Sequence, residues 1–166
     1  MIDQTAPDPT MTRIIDAVRL GQTGDAARAR DVLTDLWAEI GPTGDALHRC
    51  TLAHHVADLQ DSAEAELLWD ERALAAVTDL TDDRAREHHH ALRVRDFLPS
   101  LHLNLADVHR RLGHTTAAHA HLDTARGLVG HLPADGYGDL VRAGIQHVDQ
   151  ALAAGSTDRL DSHPHG

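Results

Sequence analysis

Cys50, His54 and Asp58 stand four residues apart in the stretch HRCTLAHHVAD. On an α-helix that spacing sets all three along one face. Three chemistries could use them. In the first, Cys50 is a small hydrophobe, His54 a hydrogen-bonded surface residue and Asp58 the partner of an arginine. In the second, thiolate and imidazole are two ligands of a transition metal such as zinc, completed by a carboxylate from another helix. The third is a nucleophilic Cys-His pair, which needs oxyanion donors that the sequence does not mark. A histidine-rich helix produces such a Cys-His spacing by chance, so hydrogen bonding is the leading expectation. The chain has no phosphate-cradling Gly-rich loop, no Gly-x-Ser-x-Gly and no His-Glu-x-x-His, and no catalytic residue is assigned.

The other histidines invite a metal reading less than their number suggests. His88, His89 and His90 are consecutive, so on a helix they point about 100° apart and cannot converge on one ion. His114, His119 and His121 read as a solvated face, and His163 and His165 fall near the carboxy terminus. His102 and His109, seven apart, read as spacers between helices, with a ligand role as the alternative.

Composition bounds the scaffold that must hold these groups. The 166 residues suffice for one domain with a buried core. Apolar residues make up 42% but aromatics only 2%, so that core must be Leu, Ala and Val, which suits close-packed helices. All 15 basic residues are Arg and none is Lys, which points to a GC-rich coding bias. A net charge of −11 with no basic block argues against nucleic acid or an anionic membrane as partner. Protonating all 15 histidines would carry that charge from −11 to +4, so stability or association is expected to change between about pH 7 and 5. The single cysteine excludes an intramolecular disulfide. Met1 to Thr10 has neither a basic start nor an apolar run, and no stretch approaches the ~20 apolar residues of a membrane span. A cytoplasmic location is expected.

Residues 1–9, with two prolines and no periodicity, read as a flexible lead-in. Helical spacing starts at Thr10. The stripe Ala29, Leu33, Leu36, Ile40 steps by 4, 3 and 4 and ends at Gly41-Pro42. Thr81, Asp82 and Asp83 make a helix start. From Ala91 a stripe runs in phase through Val94, Leu98, Leu101, Leu105, Val108 and Leu112. That phase predicts one helix over about 82–112, kinked near Arg95 by Pro99; a break at 96–99 with Pro99 in a new first turn is the alternative. A last helix over about 138–153 carries Val141, Ile145, Val148 and Leu152, and Gly155 to Gly166 reads as a disordered tail.

Residues 99–130 resemble one tetratricopeptide (TPR) unit. Leu105, Ala106, His109 and Gly113 sit at its first-helix and turn positions, and Ala118, Leu122 and Ala125 at its second-helix positions. A weaker copy places Gly24 at the turn with Ala17, Leu20, Ala29, Leu33 and Leu36. A third covers Leu47 to Leu80 with Gln60 or Asp61 at the turn, Leu52, Ala53 and Val56 before it and Ala65 and Trp69 after. The resemblance covers about residues 10–130 and implies an all-α solenoid of about three antiparallel helix pairs over 10–154, closed by the last helix as a cap. It also implies that Cys50, His54 and Asp58 face a concave groove with Leu103, Asn104, Asp107 and Arg111. Asp58 would then pair with Arg111, and a metal would take Cys50, His54 and Asp107, or Glu66 or Asp70 in place of Asp107. Some TPR proteins hold a peptide terminus with Lys, Asn and Arg at set groove positions. Cys50, His54 and Leu103 depart from that pattern.

The expected function is therefore binding of a protein or polar peptide in the groove through Cys50, His54, Asp58, Asn104, Asp107 and Arg111. The alternative is a metal- or small-molecule-binding protein, conceivably an enzyme. Self-association is a third expectation if Ile14, Ile15 and Val18 stay exposed at the amino-terminal edge.

Overall fold

A computed structural model describes residues 8–88, 94–132 and 135–160, and among them every regular element is helical. The elements are α1 (Pro9–Gln22), α2 (Ala26–Ile40), α3 (Ala46–Asp58), α4 (Ala63–Val77), α5 (Asp82–His88), α6 (Val94–Arg111), α7 (Thr115–Leu128) and α8 (Gly136–Ala153), with a 3-10 turn at Val129–His131. Local chemistry sets most of the starts. Asp8, Asp25, Asp45, Ser62 and Asp135 each accept a backbone N–H from the first turn of the helix that follows. Thr81 does the same for α5 through the Arg84 amide. The turns after α1 and α6 use Gly24 (φ 109°) and Gly113 (φ 78°), a left-handed backbone that a Cβ would strain.

Neighbouring helices pair as α1 with α2, α3 with α4, and α6 with α7, and α4 then packs on α6. One core runs through the first four helices, built from Ile14, Leu33, Leu36, Leu47, Leu52, Val56 and Ala73, and reaches Leu101. A second joins α6, α7 and α8 through Leu103, Ala106, Leu122, Val141, Ile145 and Val148. Thus α6 is the shared wall. Each fully buried Leu or Ile contributes roughly 1.5–3 kcal/mol. Ile14 is fully buried, and Ile15 and Val18 are partly buried against the same core, so less apolar surface is left at the amino-terminal edge than the self-association expectation supposed.

Asp8 and Asp45 also tie helix starts together. Arg84 Nε donates to Asp45 (2.6 Å) and its terminal nitrogen to Asp8 (3.0 Å), while His48 Nε2 lies 2.7 Å from Asp8. Asp8, inside the stretch read as a lead-in, is therefore an anchor.

Pro99 lies within α6, already a full turn in, so no new helix starts at 96–99. The remaining question, one helix over 82–112 or two, falls on residues 89–93 and lies outside the described residues. Among the described residues no helix is long and apolar enough to cross a membrane.

The last helix starts two residues before the expected 138 and lies close against α6. A Cβ on Gly144 would sit 2.6 Å from Leu103 Cδ2. Leu103, expected in an open groove, is instead only 5% exposed. Gly144→Ala gains about 1 kcal/mol of helix propensity but overpacks Leu103 by about 1–3 kcal/mol, so a net loss of stability is expected. Gly127→Ala meets nothing within 4 Å and should instead gain up to about 1 kcal/mol. Thermal melts of the two variants check this sign difference.

Candidate functional site

The hairpin of α3 and α4, the wall of α6 and the covering α8 enclose a cavity of about 240 Å³. Cys50, His54 and Asp58 reach it from α3, and Leu103, Asn104, Asp107 and Arg111 from α6. All six residues expected in the binding groove therefore share one cavity, although it is closed on one side by a helix. Thr51, His55, Glu66, Phe97, Ser100 and Leu101 line it too, with Tyr137, Leu140, Val141 and Gly144 from α8 and Arg159 beyond it.

The charged end is organised by Asp107. Arg110 donates to its Oδ1 from two nitrogens (3.1 and 2.7 Å), and Arg111 Nε donates to its Oδ2 (3.0 Å). Arg111 then reaches Glu66 Oε1 of α4 at 2.6 Å. The expected Asp58–Arg111 pair does not form, because Asp107 and Glu66 take that guanidinium. Glu66 and Asp107 raise the pKa of Arg111 against the burial that would lower it. Arg110, only 2% exposed, gives two further donors to the carbonyls of Ser156 (2.7 Å) and Asp158 (2.8 Å). The first residues of the stretch read as a disordered tail are thus pinned to α6.

The opposite end carries neutral donors and acceptors. Burial pushes the Cys50 thiol up to about 12, only partly opposed by Arg49, so it stays S–H at neutral pH. Asn104 Nδ2 lies 3.3 Å from His54 Nδ1. As an amide donor it makes Nδ1 the acceptor and leaves the ring proton on Nε2. Burial lowers the pKa of His54, and burial with the neighbouring His54 lowers that of His55 to about 4. Two neutral imidazoles therefore line the cavity.

These facts bear on the alternatives for the Cys-His pair. His54 Nδ1 is spent on Asn104, and a thiol held near 12 is a weak nucleophile. For a metal, both oxygens of Asp107 are occupied by arginines. Among the described residues no three His, Cys, Asp or Glu side chains are grouped to hold an ion. Cys50, His54 and Asp107 share the cavity without converging.

Asp70 of α4, one turn beyond Glu66, is buried with no hydrogen-bond partner for either oxygen among the described residues. Burial, then the charges of Glu66 and Asp58, push its pKa well above the usual carboxylate range, so it is held as the neutral acid. Its sequence position beside Glu66 marked it as a possible ligand, but nothing in the sequence marked it as protonated. The contributions of α8 were missed as well; its two buried glycines, Gly138 and Gly144, within an amphipathic stripe were the available signal of close approach. Arg159 carried no signal.

Comparison with known protein families, with curated proteins and with solved structures found no match.

Two pH effects follow, with opposite signs. The folded chain disfavours charged His54 and His55, whereas the unfolded chain protonates near 6.5. Stability from these groups is thus present above about 6.5 and lost as pH falls towards 4. Melts of Asp70→Asn taken from pH 7 to 5, where the opposing carboxyl is absent, should show a falling midpoint. Asp70 has a raised folded pKa, so the unfolded chain releases its proton first and stability falls as pH rises above about 4. Asp70→Asn should therefore gain nothing near pH 4 and about 1–3 kcal/mol near pH 8, at roughly 2–4 °C per kcal/mol. A pH-independent difference between the two proteins would show that Asp70 ionises normally.

Proposed function

We propose that this chain is a TPR-like helical-repeat protein that binds one small polar molecule in the cavity between α3, α6 and α8. Three observations support the repeat reading. The hairpins α1/α2, α3/α4 and α6/α7 follow in chain order with α5 between the second and third, two turn glycines have positive φ at matching positions, and Ala29, Leu33, Leu36 and Ala118, Leu122, Ala125 are buried at corresponding places. The binding reading rests on the cavity itself. Its volume of about 240 Å³ lies just under the range of pockets for drug-sized ligands, about 300–1,000 Å³. An extended peptide would need the groove along α6 that α8 occupies at Gly144. The neutral edge of His54, His55 and Asn104 supplies directional hydrogen bonds, Phe97, Leu101 and Val141 supply apolar walls, and the Asp107–Arg111–Glu66 chain fixes one charged end. With Cys50 held as a thiol, the arrangement supports binding without covalent chemistry.

A second reading, docking of a partner protein that inserts one side chain, is favoured by one observation. Tyr137 and Leu140, at the cavity rim, are 40% and 48% exposed.

Native mass spectrometry with elemental analysis of untagged protein, followed by a thermal-shift screen of polar metabolites, tests the proposal. A one-to-one organic ligand that raises the melting temperature, and is lost in Thr51→Trp with folding retained, is the expected result. Binding of peptides alone, lost in Leu140→Asp and kept in Thr51→Trp, would replace the small-molecule reading by the second.

A further inference from the structure

On the far side of α6 from the cavity lies a second cluster of functional side chains. His102 and His109 are seven residues apart on α6, and His114 and His121 are seven apart around α7. Because α6 and α7 are joined by the tight turn at Gly113, the two spacings are mirror images about that turn. They pair as rungs: His102 with His121, Nδ1 to Nδ1 at 3.0 Å, and His109 with His114, Nδ1 to Nδ1 at 3.1 Å. His109 and His121 stack between the rungs with centroids 5.4 Å apart and planes 6° from parallel.

His114 also stands at the N-cap position of α7 and makes no side-chain cap bond. Five other helices place Asp or Ser there and use it to cap. The α7 start gives up that contact, and the ring turns to His109 instead.

We propose that each histidine rung is a cis-chelating site for a tetragonal divalent metal ion of the Ni(II) or Cu(II) class. With metal–nitrogen bonds of about 2.0–2.1 Å, nitrogens 3.0 and 3.1 Å apart subtend about 94° and 98° at the ion. That is close to the right angle of square-planar or tetragonal coordination, whereas a tetrahedral ion would need the rings to part. Each rung supplies two ligands and water completes the set. The parallel stack of His109 on His121 keeps the rungs from sharing one ion, and among the described residues no three-residue ligand group forms. In the metal-free protein one Nδ1 of each rung donates to the other. Binding moves that proton to Nε2 of the same ring, freeing both Nδ1 lone pairs without net proton release. Burial lowers the pKa of His102, His109 and His121, helped at His109 by His114 and at His121 by His102 and His109. The facing carboxylate, Glu71 of α4, acts on His109 in the opposite direction.

Isothermal titration of the full chain with NiCl2 at pH 7.5 tests this, with His102→Ala/His121→Ala, His109→Ala/His114→Ala and, as a control for the carboxy-terminal histidines, His163→Ala/His165→Ala. The expected result is that each rung variant loses one saturable ion that the control keeps, and that Ni(II) raises the melting temperature of the wild type more than that of either variant. Circular dichroism shows whether each variant is folded, and the single His121→Gln, which keeps a polar side chain of similar reach, should weaken its ion at least tenfold even if the double variant unfolds. Equal stoichiometry and affinity in wild type and rung variants, or no saturable binding in the wild type, overturns the proposal and leaves the rungs as hydrogen bonds.

Discussion

A single buried carboxylate holds the architecture of the site together. Asp107 takes both Arg110 and Arg111, one on each oxygen, and is itself almost inaccessible. Two guanidiniums could not be buried on one helix without it, because an unpaired buried charge costs several kcal/mol. Through them the effect spreads in two directions. Arg111 reaches Glu66 and binds α6 to α4; Arg110 reaches two backbone carbonyls beyond α8 and holds the chain that leaves that helix. Removing Asp107 would therefore loosen three contacts at once.

That constraint also divides the cavity chemically. At one end, charges are paired within the protein and offer a ligand only directional hydrogen bonds. At the other, burial keeps a thiol and two imidazoles neutral. Asp70 fits the same logic: in a region already holding Glu66, Asp58 and Asp107, a further negative charge is disfavoured and the proton stays. The site is polar, with paired charges at one end and neutral groups at the other, a setting suited to recognising shape and hydrogen-bond pattern.

The all-helical class was legible in the sequence because Leu and Ala recur at helical spacing and the turn glycines punctuate it. So was the sharing of one cavity by residues of α3 and α6, since the i, i+4, i+8 spacing fixes a face and the resemblance to a TPR unit implied which faces meet. The seat of α8 was not legible. An amphipathic stripe says that a helix is covered, not what it covers, and only the space left by Gly144 against Leu103 brings it over α6. The partner of Arg111 was misassigned for a related reason: several carboxylates lie within its reach, and spacing alone cannot rank Glu66 on α4 above Asp58 on α3. Nothing in the sequence marked Arg110 as buried, because the chain that covers it arrives from 46 residues away.

The two tryptophans have a bearing on how this protein can be observed. Trp37 of α2 and Trp69 of α4 meet edge to face at 5.2 Å, and the Arg72 guanidinium lies over Trp69 at 4.4 Å and over Trp37 at 5.6 Å. Both indoles therefore sit in one environment at the seam between the first two hairpins, and neither lines the cavity. Intrinsic fluorescence of this chain is accordingly a local probe. The tryptophan signal reports the parting of α2 from α4, while events at α6, α7 and α8 leave it unchanged unless they unfold the seam.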